Sequence, residues 1–170
     1  MKKLLVFALL SLNILALDFY VGVNANVDAT EWNPKATNIQ KKEYKDEVYG
    51  LTVELTQAIP FVELGLGLGY EPEYTLDNTS FDVMPVYGLA KFNLFPLGVK
   101  PYVVAKYGKT VYEEQKNVTI KDGAFYSVGL GMTLFKKLQA EGAYSLSTGK
   151  VDGDNLNLGR ASIALRYNVF

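Results

Sequence analysis

Glu54 and Glu63 are the residues whose type and spacing come closest to a catalytic pattern. Two carboxyl groups held about 5 Å apart can cleave a glycosidic bond, with one group as acid and the other as nucleophile. The chain contains no histidine and no cysteine, which excludes Ser-His-Asp catalysis, imidazole metal sites and disulfide bonds. Any chemistry at the two carboxylates therefore depends on the elements that carry them.

Glu63 lies in the segment 61–70, FVELGLGLGY, in which large apolar residues alternate with small or charged ones. Successive side chains of a strand point to opposite faces, so Leu64, Leu66 and Leu68 share one face. The three glycines would each cost about 1 kcal/mol in a helix. The segment is therefore predicted to be a strand whose leucines face either a soluble core or lipid.

Seven further segments alternate with a period of two, which is typical of strands that bury one face. They cover residues 17–26, 48–56, 84–95, 101–112, 124–134, 138–146 and 160–169. The alternation is least regular in 84–95, where we assign the apolar face to Val86, Ala90, Phe92 and Leu94. No segment after residue 16 has a helical pattern. The sequence predicts an all-β fold in one domain, an eight-stranded antiparallel up-and-down barrel.

The predicted connections alternate in length along the chain. Long polar connections follow the first, third, fifth and seventh strands, at residues 27–47, 71–80, 113–123 and 147–157. Short turns follow the second, fourth and sixth strands, at residues 57–60, 96–99 and 136–137. Transmembrane barrels have short turns at one end and longer loops at the other. A soluble barrel has no physical need for this asymmetry, so the pattern favours a transmembrane barrel.

The polar faces of the strands carry a few charges among many small residues. The charges that stand out are three acidic and three basic: Glu54, Glu63, Lys91, Lys106, Glu141 and Arg166. Such a balanced set suits the narrow interior of an eight-stranded barrel, where buried ions must be paired. Glu54 is predicted to lie directly opposite Glu63, with one of the three basic residues between them. A filled interior would exclude a sugar, so we predict no catalysis; the alternative is a set of scattered solvent charges.

Aromatic residues on the apolar face fall near the two ends of the predicted strands. Those near the long connections are Tyr49, Tyr70 and Tyr126, and those near the short turns are Phe19, Phe92 and Tyr167. Aromatic side chains at both membrane–water interfaces anchor a transmembrane barrel. The general preference of tyrosine for strands explains its abundance but not these positions. The aromatic pattern therefore favours lipid against the apolar face.

The N-terminus has the form of a secretory signal peptide. Met1, Lys2 and Lys3 are followed by an apolar run that ends at Ala16, too short for a membrane-spanning helix. We predict a signal peptide at 1–16 and a barrel domain at 17–170. The net charge is −1, and without a clustered basic surface no nucleic-acid partner is expected. No metal or cofactor is predicted.

The mature chain resembles the small outer-membrane barrels of the OmpA/OmpX-like and opacity-protein-like group. The resemblance is carried by eight strands, a signal peptide, a final aromatic residue and the segments PVYGLAKFNLF (85–95) and PYVVAKYG (101–108). It implies an outer-membrane location in a Gram-negative-type bacterium, a monomer surrounded by lipid, and assembly by the barrel-assembly machinery through Phe170. The chain departs from the group at Val104 and Lys106, where glycine is usual, and in the spacing of Tyr167 from Phe170.

The segment 27–47 is the strongest candidate for contacts outside the barrel. It holds Trp32, the only tryptophan, a residue type enriched among binding hot spots. The alternative is a solvated loop in which the tryptophan is incidental. We therefore predict a structural or adhesin-like role, with loops that contact a host or surface ligand. Two alternatives remain at this stage: a narrow passive pore, suggested by the glycines on the polar face, and a soluble lipocalin-like periplasmic carrier.

Overall fold

The computed structural model describes residues 17–31, 42–44, 47–59, 61–76, 79–94, 99–115, 120–121, 123–135, 137–151 and 154–170. These residues form ten strands: β1 (Leu17–Glu31), β2 (Lys42–Tyr44), β3 (Val48–Ile59), β4 (Val62–Leu76), β5 (Thr79–Asn93), β6 (Lys100–Gln115), β7 (Ile120–Lys121), β8 (Gly123–Leu134), β9 (Leu138–Val151) and β10 (Asp154–Asn168). The predicted signal peptide, residues 1–16, and Trp32 lie outside the described residues. No helix in the described ranges is long and apolar enough to cross a membrane.

Eight of the described strands form a closed antiparallel ring. β1 pairs with β3, and the order continues through β4, β5, β6, β8 and β9 to β10. β10 pairs in turn with β1, from Tyr20 opposite Asn168 to Glu31 opposite Leu158. The short strands β2 and β7 pair with β1 and β9. Closure leaves neither terminal strand with a free edge, and the predicted eight-stranded antiparallel barrel is confirmed.

Several strands are longer than the alternation predicted. The predicted polar connections 71–80 and 147–157 are mostly strand, because pairing continues to Leu76 opposite Thr79 and to Val151 opposite Asp154. The connection after β4 therefore spans residues 77–78, whereas the one after β5 spans 94–99. The predicted strict alternation of long and short connections is wrong, since polar side chains do not stop a backbone ladder in water. Strands of 14 to 16 residues exceed the roughly 10 that cross a bilayer. The β4–β5 and β9–β10 pairs, which we call the extended hairpins, are therefore longer than a membrane-spanning segment at the end opposite residues 60 and 170.

The distribution of polarity is the reverse of that in a soluble protein. Leu66 and Leu130 on the outer face are 69% and 66% exposed, whereas Glu54 and Lys91 on the inner face are 0% exposed. The same alternation runs round the ring, so apolar side chains cover the outside, and polar and charged side chains lie inside together with tyrosines and a few aliphatic residues. The leucines of segment 61–70 accordingly point outwards.

β5 follows the facing that was predicted for its irregular sequence. Val86 and Phe92 are exposed on the outer face, and Tyr87 and Lys91 are buried on the inner face. Leu89 also points inwards and packs in a small buried cluster with Tyr87 and Phe125. The irregular appearance of this segment therefore comes from an apolar residue that belongs to the interior.

Candidate functional site

Glu54 on β3 is the centre of an ion network inside the barrel. Its carboxylate lies 3.1 Å from Lys91 Nζ of β5 and 3.1 Å from Lys106 Nζ of β6. Nε of Arg166, on β10, lies 3.3 Å from it, and the hydroxyl of Tyr87 donates a hydrogen bond of 3.0 Å. One buried carboxylate thus connects four strands across the interior.

Glu141 on β9 shares two of these cations. Its carboxylate lies 2.7 Å from Lys106 Nζ and 2.8 Å from a terminal nitrogen of Arg166. The hydroxyl of Tyr102 donates a hydrogen bond of 3.3 Å to the same carboxylate. Because Lys106 and Arg166 contact both Glu54 and Glu141, the four side chains form one unit and not two separate pairs.

Glu63 on β4 joins the network through Lys91. The two side chains are direct cross-strand neighbours, and Nζ of Lys91 lies 3.2 Å from the Glu63 carboxylate. Lys91 also donates a hydrogen bond of 2.9 Å to Gln139 and lies 4.9 Å from the ring centroid of Tyr20. Lys91 therefore bridges Glu63 to Glu54, one of the three bridging cations considered from the sequence.

The predicted register of Glu54 and Glu63 is wrong. β3 and β4 stay paired as far as Ile59 opposite Val62, so that Glu54 lies opposite Gly67 and Glu63 lies opposite Ala58. The sequence predicted a turn over residues 57–60, but residues 57–59 belong to the strand. The two carboxylates meet through Lys91 instead of facing each other across the hairpin.

The structure brings the six predicted charges into one connected set. Three carboxylates and three cations alternate through it, so each charge has an opposite charge within hydrogen-bonding distance. Buried ions are tolerated when they are paired in this way, and removal of one partner is costly because it leaves an uncompensated charge. We therefore expect these ion pairs to hold the interior side chains in fixed positions.

Glycines make room for the aromatic side chains that reach this network. A Cβ atom added to Gly67 would overlap the ring of Tyr87, and one added to Gly131 would overlap the ring of Tyr102. The two rings therefore occupy the space beside inward-facing glycines, and their hydroxyls reach Glu54 and Glu141. The space left by these glycines is occupied by tyrosine rings, which opposes the reading of the glycines as the wall of a pore.

The interior beside the network is tightly packed in the part of the chain that the structure describes. The cavity that touches Lys106, Glu141 and Arg166 measures about 30 Å³, room for only about two or three water molecules. No group of three or more acidic residues in the described ranges could hold a metal ion. Among the described residues, the space beside these carboxylates is therefore too small for a sugar.

A second polar cluster, nearer the end with the extended hairpins, was missed from the sequence. Arg160 of β10 pairs with Glu71 of β4 and donates a hydrogen bond to Ser147. Asn24 of β1 donates a hydrogen bond of 3.2 Å to Glu71. Arg160 and Arg166 lie an even number of positions apart in the same strand. The period of two therefore already indicated that both side chains face the interior. Glu71 gave no such signal, because it was assigned to a connection.

Phe170, the predicted assembly signal, lies at the end of the barrel with the short turns. Its side chain is exposed, its ring centroid lies 6.1 Å from that of Phe19, and its backbone nitrogen donates a hydrogen bond of 3.2 Å to Asn168. Of the predicted aromatic positions, Tyr49, Tyr126 and Tyr167 are likewise exposed on the outer face. These aromatic side chains can therefore contact the surroundings of the barrel.

The closed ring, the apolar outer face and the ion-filled interior define the class of fold. The chain has the fold of the small eight-stranded outer-membrane barrels, in agreement with the resemblance of its sequence. No family model matches the sequence, and no curated protein is significantly similar to it.

Two solved structures illustrate this likeness. Neisserial surface protein A (NspA) is 16% identical, with a TM-score of 0.61 over 88% of this chain and 96% of its own. Ail, the attachment invasion locus protein of Yersinia pestis, is 13% identical, with a TM-score of 0.52 over 89% of this chain and 99% of its own. At such low identities the likeness concerns the fold.

Proposed function

We propose that the protein is an integral outer-membrane barrel of a Gram-negative-type bacterium, with a structural or adhesin-like role and no catalytic activity. The inversion of polarity carries this proposal. A continuous apolar outer surface is unfavourable in water and favourable in lipid. A closed barrel also satisfies its backbone hydrogen bonds internally, as a spanning structure must.

The aromatic residues on the outer face support a defined position in the bilayer. The rings of Tyr107 and Tyr126 lie 5.3 Å apart on neighbouring strands, on the side of the extended hairpins. Phe92, Tyr167 and Phe170 are exposed near the other end. Aromatic side chains prefer the headgroup level, so these two groups would mark the two interfaces.

We place the extended hairpins and the segment 27–47 at the cell surface, where they would contact a host or abiotic surface. Ail, one of the structural neighbours, is named for attachment and invasion. Phe170 would be recognised by the barrel-assembly machinery, and the assembled barrel would be a monomer surrounded by lipid. A narrow pore is disfavoured, because tyrosine rings and the ion network fill the interior.

Cell fractionation tests the location. The protein is expected in the outer-membrane fraction, to resist extraction with alkaline carbonate, and to be released by detergent. Release by osmotic shock without detergent would refute the proposal and favour a soluble periplasmic carrier. Recording in planar bilayers should show no discrete, stable conductance with the purified barrel.

Replacement of residues 32–41 by a short Gly-Ser linker tests the surface role. We expect cells with the shortened segment to adhere less to host cells or abiotic surfaces, while the barrel remains in the membrane at the same level. The Trp32→Ala chain tests whether the tryptophan carries the contact. Unchanged adhesion of the linker variant would leave a structural role and remove the adhesin-like one.

A further inference from the structure

A groove on the outer face lies between β4, β5 and β6. It has a volume of about 460 Å³, and its outward side chains come from Leu66, Val86, Lys109 and Val111, with Gly88 at its floor. We call it the Gly88 groove. Its volume falls in the range of small-molecule sites, although its walls belong to the surface that we place in lipid.

The absence of a side chain at Gly88 creates this groove. Gly88 lies opposite Leu66 on one side and Tyr107 on the other, and both neighbours are more than 60% exposed. A Cβ atom added to Gly88 would have its nearest neighbours at 3.9 Å, both of them carbonyl oxygens. The space above the glycine is therefore open, and larger side chains stand on both sides of it.

Lys109 is the one charged side chain among the residues that line the groove. It is exposed, faces outwards and lies two residues beyond Tyr107, towards the extended hairpins. Lys109 makes no ion pair with any residue in the described ranges, in contrast to Lys91 and Lys106 in the interior. A lysine beside an interfacial tyrosine extends its ammonium group to the headgroup level. The groove thus has an apolar floor at Gly88 and, beside Val86, a cation that can extend towards the headgroups.

We propose that the Gly88 groove binds one membrane lipid with an anionic phosphate headgroup. An acyl chain lies along Val86, over Gly88 and against Leu66, and the phosphate of the same molecule pairs with Lys109. A single cation beside an apolar floor matches an amphiphile with one charged head and an apolar tail. Basic residues at the membrane surface attract anionic lipids in this way. The inference rests on the proposed membrane location.

Native mass spectrometry of the detergent-solubilised barrel, titrated with phosphatidylglycerol, tests the site. We expect one phosphatidylglycerol to bind more tightly than phosphatidylcholine with the same acyl chains. Lys109→Ala should weaken this binding about fivefold, and Gly88→Leu should abolish it by filling the groove. Inorganic phosphate should not displace the lipid, because it has no acyl chain.

Two matched controls separate the groove from general effects. Lys150→Ala removes another exposed lysine, and Gly142→Leu fills another outward-facing glycine, which has no atom within 4 Å of an added Cβ. Both control chains should bind phosphatidylglycerol like the unmodified barrel. Equal binding by all four variants, or equal binding of the two lipids, would overturn the inference. Carbonate extraction of the same chains distinguishes failure of the lipid site from failure of the membrane location. If carbonate extracts the unmodified chain, the membrane location is refuted. If all chains stay in the membrane and bind lipid equally, only the lipid site is refuted.

Discussion

β3 carries two different environments on alternate residues. Glu54 points inwards and is held by ion pairs to three strands, whereas Val53 and Leu55 point outwards and are exposed. The inner position depends on particular partners at particular distances. The outer positions depend only on being apolar, because lipid imposes no partner. Inward positions of the same strand therefore require specific partners, whereas outward positions require only apolar character. Substitutions at the two kinds of position should have different effects on stability.

Glu54→Ala should have the largest effect. It leaves Lys91, Lys106 and Arg166 around a missing carboxylate, and such uncompensated buried charge costs about 3–5 kcal/mol. Urea unfolding of the barrel in lipid vesicles measures this loss. Leu55→Ala, at the neighbouring outward position, is the control and should cost much less. Equal losses for the two variants would mean that the interior does not depend on specific pairing.

Leu66→Lys tests the opposite face. A lysine on the lipid face of a barrel costs up to about 2–4 kcal/mol, the largest cost being at the bilayer midplane. The free energy of unfolding in phosphatidylcholine vesicles should therefore fall, by at most this amount. Leu66→Val keeps the position apolar and should change little. If the outer face met water, Leu66→Lys would leave the stability unchanged and the comparison between the faces would fail.

Gly67→Ala and Gly88→Ala compare the two faces with the same substitution. An added methyl group at Gly67 displaces the Tyr87 ring and weakens its hydrogen bond to Glu54, which should cost about 1–3 kcal/mol. At Gly88 the nearest atoms lie at 3.9 Å, so the stability should be unchanged or slightly higher. Urea midpoints measured side by side check the difference, and equal midpoints would contradict it.

Glu63→Ala should give the smallest of the interior effects. Lys91 loses one carboxylate but retains Glu54 and Gln139, so we expect a loss of about 1–2 kcal/mol. The unfolding midpoint in detergent should fall by less than that of Glu54→Ala. An unchanged midpoint would mean that the ion pair of Glu63 with Lys91 does not stabilise the barrel.

The alternation of side chains was sufficient to predict the strands and the side of the barrel that most residues face. It could not reveal that Leu89 points inwards, because an apolar residue on a polar face looks like a break in the pattern. The register of Glu63 depended on the pairing of β3 and β4 as far as Ile59 opposite Val62, and hydrophobic periodicity does not specify where a turn begins. Arg160 and Glu71 meet across the barrel, and only the closed ring brings these distant segments together.

The position of Arg166 in the last strand has a consequence for assembly. Its partners Glu54 and Glu141 belong to strands that are synthesised earlier, and β10 is also the strand that closes the ring on β1. Until that strand arrives, the seam is open and the carboxylates lack one of their cations. Pairing between such distant segments is slow and cooperative. A chain truncated before β10 would lose both the pairing that closes the ring and one cation of the interior network. We therefore expect such a chain not to form a stable barrel.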